Sequence, residues 1–323
     1  MKSTEKQMNP NNTTGKTFPQ QDYFYSFNKY LRKKFGERVH RISIDAGFNC
    51  PNIDGTLSNK GCIFCNNKAF VKHDHKFKSI EEQIEESIKF YHKKMGVNKF
   101  IAYFQSFSNT YADIKTLQKQ YDTIKNFPNI VGLFISTRPD CIDKEKISFL
   151  SQYTHDYLVW IEYGLQTTHN HILKQINRNH TYKDFLKACE LTRKYNINVG
   201  VHVILGLPSQ KHEEIISDSK RLANLDIQGI KFHVLHVLKN TTLESIYQEK
   251  KIQILTKDEY INYLCDFLER IPKKFIILRL VSTASKNYLI APEWMNNKGT
   301  LKNEVMQEFK QRKTNQGYYF NKI

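Results

Sequence analysis

Three of the chain's six cysteines, Cys50, Cys62 and Cys65, fall within sixteen residues. Cys62 and Cys65 form a C-x2-C pair, the spacing that lets two thiolates reach one metal centre from a single tight turn. Cys50 precedes them by eleven residues and must fold back over a loop. Pro51, Gly55 and Gly61 supply the bends, helped by the turn-formers Asn52, Asp54 and Asn59. A four-thiolate zinc site or a conventional electron-transfer cluster wants a fourth cysteine, and none is near. Two metal chemistries therefore stay open. One is zinc held by three thiolates and an imidazole from His73 or His75. The other is a cubane iron–sulfur cluster with one iron left for another ligand. A disulfide would leave the third thiol unpaired.

Other groups able to do chemistry stand where short apolar runs end. Gln105-Ser106 follows the run 99–104, and Ser136-Thr-Arg138-Pro-Asp140-Cys141 follows 130–136. Glu162 lies inside the run 157–163, with Gln166 just beyond it and Arg178 twelve residues further on. A carboxylate on an otherwise apolar strand needs a partner. His202 precedes Ile204-Leu-Gly-Leu-Pro208, and His233 and His236 close the run 229–235. Cys141 is a lone cysteine at such an end and a candidate catalytic thiol. Cys189 and Cys265 fall in helical patterns and read as core.

The elements that must position these groups alternate. Strands are predicted at 41–45, 99–104, 130–136, 157–163, 199–205 and 229–235. Helices are predicted at 23–35, 79–95, 111–127, 143–152, 169–176, 182–195 and 212–225. Ser79 with Glu82 makes a capping box, and Gly36 and Gly96 are stop signals. Such alternation implies parallel strands joined by right-handed crossovers. Periodicity alone leaves an open doubly wound sheet and a partial barrel both standing, although the dinucleotide fingerprint is missing after the first strand. Residues 1–17 read as a polar, disordered leader, 18–240 as the α/β body with its N-terminal helix, and 241–323 as an accessory region. That last region is predicted to hold helices at 258–270 and 303–313 and a strand at 275–281.

With 323 residues and 40% hydrophobic content, the chain can bury a sizeable core. No apolar run approaches the ~20 residues of a membrane span, and clustered free cysteines without a secretion signal suit the cytoplasm. The net charge of +17 favours a polyanionic partner, nucleic acid first, or simply a solvated lysine surface.

Phe64 inside the cysteine loop, the C-x11-C-x2-C spacing, Gln105-Ser106, Thr137-Arg138-Pro139-Asp140 and the Gln166/Arg178 pair together resemble the radical S-adenosylmethionine (radical SAM) proteins. Within these the chain is similar to the YtqA/YhcC branch, related to the Elongator catalytic subunit. The usual loop of radical SAM proteins is C-x3-C-x2-C; the eleven-residue gap is a departure from it that resembles this branch. The resemblance implies a partial (β/α)6 barrel with its chemistry at the C-terminal ends of the strands. It implies that Cys50, Cys62 and Cys65 hold a [4Fe-4S] cluster and that S-adenosylmethionine (SAM) occupies the fourth iron. Phe64, Gln105, Ser106, Glu162, Gln166, Arg178 and His202 are the implied SAM-side residues, with Arg178 on the SAM carboxylate. Relatives often carry an acidic residue where His202 stands. The implied activity is reductive SAM cleavage in tRNA wobble-uridine modification, turning a carboxymethylaminomethyl side chain of 2-thiouridine into aminomethyl. It would be served by an electron donor such as flavodoxin or ferredoxin. A radical SAM enzyme acting on a small molecule and a non-enzymatic zinc-stabilised RNA-binding protein are the other readings.

Overall fold

The computed structural model describes residues 22–66, 69 and 78–320. The leader predicted at 1–17, and His73 and His75, lie outside the described residues. The chain opens with α1 (Phe27–Phe35), capped by the Ser26 hydroxyl and ended by Gly36 in the left-handed region at φ +74°. After β1 (Val39–Ile44) and the cysteine loop comes α2 (Ile80–Met95). Its capping box forms as its sequence implies, with Ser79 and Glu82 each accepting from the other's backbone N–H.

The alternation then runs β2 (Lys99–Phe104), α3 (Ile114–Asp122), β3 (Ile130–Thr137), α4 (Lys144–Ser151) and β4 (Leu158–Gln166). It continues through α5 (Asn170–Gln175), α6 (Tyr182–Arg193), β5 (Asn198–Leu205), α7 (His212–Ala223) and β6 (Gly229–Val234). The remaining elements are β7 (Val237–Leu238), α8 (Thr242–Gln248), α9 (Lys257–Leu268), β8 (Ile276–Arg279), β9 (Leu289–Ala291) and α10 (Leu301–Arg312).

The main sheet has seven strands in the order β1-β2-β3-β4-β5-β6-β8, and every neighbouring pair is parallel. It curls into a partial barrel. Six strands were expected in the body; the seventh, β8, comes from the region read as accessory and pairs with β6 from Gly229↔Ile276 onward. All nine residues of β4 are buried, as a central strand covered on both faces must be. Helices pack outside, so one large cluster runs between strands and helices through Ile84, Leu117, Leu150, Phe185, Leu222 and Leu264.

A second cluster fills the lower interior with Phe27, Leu31, Tyr103, Phe134, Trp160 and Leu278. Phe134 stacks on Trp160 at 5.6 Å. The indole has room because β5 and β6 put glycines against it: a Cβ on Gly229 would lie 3.1 Å from its ring and 2.8 Å from Ile276 O.

Edge strands β1 and β8 do not pair, so the barrel stays open along one side. The segment before α1 crosses that opening, with Ile277 N–H donating to Tyr25 O at 2.8 Å. Arg41 reaches across as well, its Nη2 donating to Leu278 O at 3.3 Å. A cavity of about 520 Å³ remains there, lined by Arg41, Ser43, Tyr103, Lys231, Arg279 and Lys302 among others. Beyond β6, β7 and β9 form a small antiparallel ribbon. Gln316 ties the C-terminal turn to the barrel, accepting from Tyr25 N–H and donating to the carbonyls of Pro272 and Phe275.

Candidate active site

The cysteine loop leaves the C-terminal end of β1, and its own backbone shapes it. Ile53 N–H donates to Cys50 O, Leu57 N–H to Pro51 O, and Cys65 N–H to Cys62 O at 3.0 Å. Gly61, at φ +69°, sits where a Cβ would come within 2.8 Å of Ile53, so the turn closes only without a side chain. Three asparagines then lash the loop to the turn after α5. Asn52 Nδ2 donates to Asn177 O at 2.7 Å and approaches Cys62 Sγ at 3.4 Å. Asn177 donates to Gly61 O, and Asn179 donates to Asn52 Oδ1 at 2.6 Å. Asn177 and Asn179 both hold left-handed backbones, which asparagine tolerates.

These contacts bring the three thiols together. Burial first, then Cys62 and Cys50, push the Cys65 thiol up to about 12. Three adjoining cysteines suit a cationic centre that binds them as thiolates and offsets the burial that raises Cys65. The only described group of three metal-binding side chains whose donor atoms all fall within 4.8 Å of one another is His169, His171 and Glu214. A single tetrahedral zinc needs its thiolates about 3.8 Å apart. A cubane places each thiolate on its own iron and spreads them.

Two buried arginines back this wall. Arg178 donates through Nη2 to Gly164 O at 2.6 Å and through Nε to the same oxygen and to His180 Nε2. Its Nη1 lies 3.5 Å from Cys62 Sγ. A Cβ at Gly164 would sit 2.7 Å from Nη2, so glycine there is what lets the guanidinium seat. Burial, then Arg178 and Arg138, hold His180 well below the usual imidazole range, which leaves its ring nitrogen an acceptor. Arg178 is thus an inward group and not a surface ion pair. Arg138 pairs with Asp140 in a two-pronged contact at 2.9 and 2.8 Å and also donates to Asn179 O.

Inside the strand ends lies a cavity of about 170 Å³. Phe64, Cys65, Gln105, Ser106, Gln166 and His202 line it, together with His233, His236, Lys231 and Arg279. Gln166 ends β4 at φ +82°, a conformation that costs a non-glycine residue strain and that clusters at ligand sites. The structure therefore brings together Cys65 and most of the SAM-side residues expected from sequence. Glu162 and Arg178 do not line this cavity: one lies below it, the other behind it. Cys141 does not line it either. Its thiol is buried near Ser108, and burial followed by Asp140 pushes it up to about 12.

The floor is a charged layer. Glu162, fully buried, accepts at Oε2 from Tyr103 OH at 2.8 Å, His202 Nε2 at 2.7 Å and Lys231 Nζ at 2.8 Å. Tyr103 and Lys231 also hydrogen bond to each other. Arg41 Nη1 lies 3.7 Å from Glu162 Oε1. Burial opposes the carboxylate, but Lys231, His202 and Arg41 together hold it well below the ordinary range. Burial, then Lys231, holds His202 at about 4, so its imidazole is neutral and donates to Glu162. Arg279 meets the His233 ring at 3.1 Å.

Sequence reasoning found Glu162 as a charge on an apolar strand. Lys231 in Gly-Ile-Lys-Phe-His-Val and Arg279 in Ile-Ile-Leu-Arg carry the same signal and were missed.

Comparison with known proteins agrees with this geometry. Residues 55–222 match the model of the Radical SAM superfamily, and residues 227–311 match the Radical_SAM C-terminal domain. The chain belongs to the radical SAM superfamily. Similar relatives include YtqA of Bacillus subtilis, 33% identical over 93% of this chain and 94% of that protein. YhcC of Escherichia coli is 31% identical over 85% and 88%. A tRNA uridine(34) acetyltransferase of Methanocaldococcus infernus matches more weakly, 26% identical over 50% of this chain and 30% of its own. Among solved structures, the archaeal Methanocaldococcus infernus Elp3 superposes with a TM-score of 0.60 at 15% identity, covering 88% of this chain and 67% of that one. Among the described residues no helix is long and apolar enough to cross a membrane.

Proposed function

We propose that this radical SAM protein cleaves SAM reductively at the cysteine wall and uses the product to modify a tRNA wobble uridine. The carrying observation is the single cavity that joins Cys65 and Phe64 on one side to Gln105, Ser106, Gln166 and His202 on the others. Cys50, Cys62 and Cys65 would hold a [4Fe-4S] cluster. When bound, the cluster supplies the electron that splits the SAM sulfonium to methionine and a 5′-deoxyadenosyl radical, which takes hydrogen from a substrate carbon. The chain's part is to bind, orient and keep water out. Phe64 offers an apolar ring for the adenine, and Gln105, Ser106 and Gln166 offer amides and a hydroxyl for the polar groups of SAM. Arg178, with Nε, Nη1 and Nη2 each engaged on Gly164 O, His180 or Cys62, acts one step back, holding the thiolate wall.

The tRNA assignment rests on different support. The +17 charge suits a polyanion, and half of this chain resembles 30% of the tRNA uridine(34) acetyltransferase. The substrate change proposed is carboxymethylaminomethyl to aminomethyl on 2-thiouridine. A flipped wobble base can reach the barrel mouth only by leaving its stack. An electron donor such as flavodoxin or ferredoxin completes the system. The test compares nucleosides of total tRNA from cells with and without the protein. Loss of the aminomethyl product with accumulation of the carboxymethylaminomethyl precursor is expected. Identical nucleosides, with 5′-deoxyadenosine release driven by a small metabolite in vitro, would move the substrate out of RNA.

A further inference from the structure

The barrel floor carries more positive charge than its own chain answers. Arg41, Lys231 and Arg279 face inward, and among the described residues the carboxylate in contact with this layer is Glu162, which opposes the burial that lowers the Lys231 ammonium. Among the described residues, no Asp or Glu lines either the 170 Å³ cavity or the 520 Å³ cavity at the open side of the barrel. Glu162 spends Oε2 on Lys231, Tyr103 and His202, and Oε1 faces Arg41. Arg279 has no such partner. Its Nη2 meets only the His233 ring, and its Nε is buried without a hydrogen bond. Burial brings its guanidinium down to about 10, with Arg41 adding repulsion. Desolvating an arginine without an anion is costly, and chains accept that cost at sites where an anion arrives.

Arg279 and Lys231 line both cavities, so they stand between the open side of the barrel and the space that reaches Cys65. We propose that Arg279, with Lys231 beside it, binds a carboxylate carried by the substrate and so fixes the neighbouring carbon in the cavity that reaches the cysteine wall. A guanidinium fork suits a carboxylate through two parallel hydrogen bonds. A nucleic-acid phosphate would have to bring its neighbouring nucleotides down to the barrel floor with it, whereas a carboxylate at the end of a side chain reaches Arg279 alone. The inference rests on the radical SAM reading of the site. It agrees with the wobble-uridine reading, whose precursor ends in a carboxylate.

The test uses the reconstituted enzyme and crosses residue with ligand. Affinities are measured for tRNA bearing a carboxymethylaminomethyl wobble side chain and for the matched carboxamide. Wild type is expected to prefer the carboxylate at least tenfold, Arg279→Gln to lose that preference, and Arg279→Lys to keep part of it. An undiminished preference in Arg279→Gln overturns the proposal. SAM affinity is measured on the same variants and should stay within twofold. A tenfold loss there would make the anion the carboxylate of SAM itself, and would also overturn the proposal. In a separate arm, N-methylglycine and N-methylglycinamide are followed by ligand-observed NMR. If neither tRNA binds, yet N-methylglycine binds wild type and not Arg279→Gln, the carboxylate site stands and the tRNA reading falls. If wild type shows no carboxylate preference in either arm, the site falls whatever the tRNA result.

Discussion

Arg178 and Arg279 are both arginines turned into the protein, and they are treated in opposite ways. Around Arg178 the chain has removed a side chain at Gly164, turned a carbonyl toward it and placed His180 as an acceptor. Around Arg279 it offers a neutral histidine ring and a further cation, Arg41. The first arrangement is finished without a ligand and serves as a wall. The second is unfinished, which is how a binding group differs from a structural one when both point inward. The same contrast holds for the regions they belong to. The cysteine wall is assembled from turns and amide side chains, the floor from side chains on registered strands.

The largest effect on that contrast should come from the floor's one compensated pair. Lys231→Met leaves the Glu162 carboxylate buried with Tyr103, His202 and a distant Arg41. It should cost ~3–5 kcal/mol, read as a fall in the urea midpoint. Adding Glu162→Gln should recover most of the loss. If the double variant is no more stable than the single, the layer is not organised around that carboxylate.

On the other side, Gly164→Ala drives a methyl into Arg178 Nη2 and should cost ~1–3 kcal/mol as the guanidinium shifts. The wall account adds that iron incorporation should suffer more than SAM affinity in the fraction that does load. Normal iron content with weakened SAM binding would instead put Arg178 on SAM.

The smallest effect concerns pH. Folding holds His202 at about 4 against ~6.5 in the unfolded chain, through burial and then Lys231. The unfolded state therefore binds the extra proton between those values. This contribution is complete above ~6.5 and lost as pH falls toward 4, at up to ~1.4 kcal/mol per pH unit. His180 and His233 shift in the same direction. In urea melts at pH 7, 6 and 5, His202→Gln should flatten the slope by about one proton; an unchanged slope would mean that His202 is charged in the folded protein.

The cysteine wall was legible in sequence because its spacing is local: three thiols, a proline and two glycines within sixteen residues announce a metal-holding loop. The strand–helix alternation was legible for the same reason, down to the Ser79–Glu82 box. The floor depends on register between distant strands. That Lys231 meets Glu162, sixty-nine residues away, follows from β6 lying beside β5 and β5 beside β4, a relation no window of sequence contains. Strand β8 was read as accessory because its pairing with β6 spans the whole of α8 and α9. The two-residue β7 finds its strand partner in β9, some fifty residues on, and has no pattern of its own. Gln166 was expected to follow its strand; a register shift after Tyr163 carries β4 on to it and turns its backbone left-handed.

The most direct measurement is 5′-deoxyadenosine released from SAM by the protein reconstituted anaerobically with iron and sulfide and then reduced. The account predicts a brown, oxygen-sensitive protein with about four irons that yields 5′-deoxyadenosine, and none from the variant with Cys50, Cys62 and Cys65 all changed to alanine. Undiminished cleavage by that variant, or a colourless zinc-loaded wild type that leaves SAM intact, would contradict it.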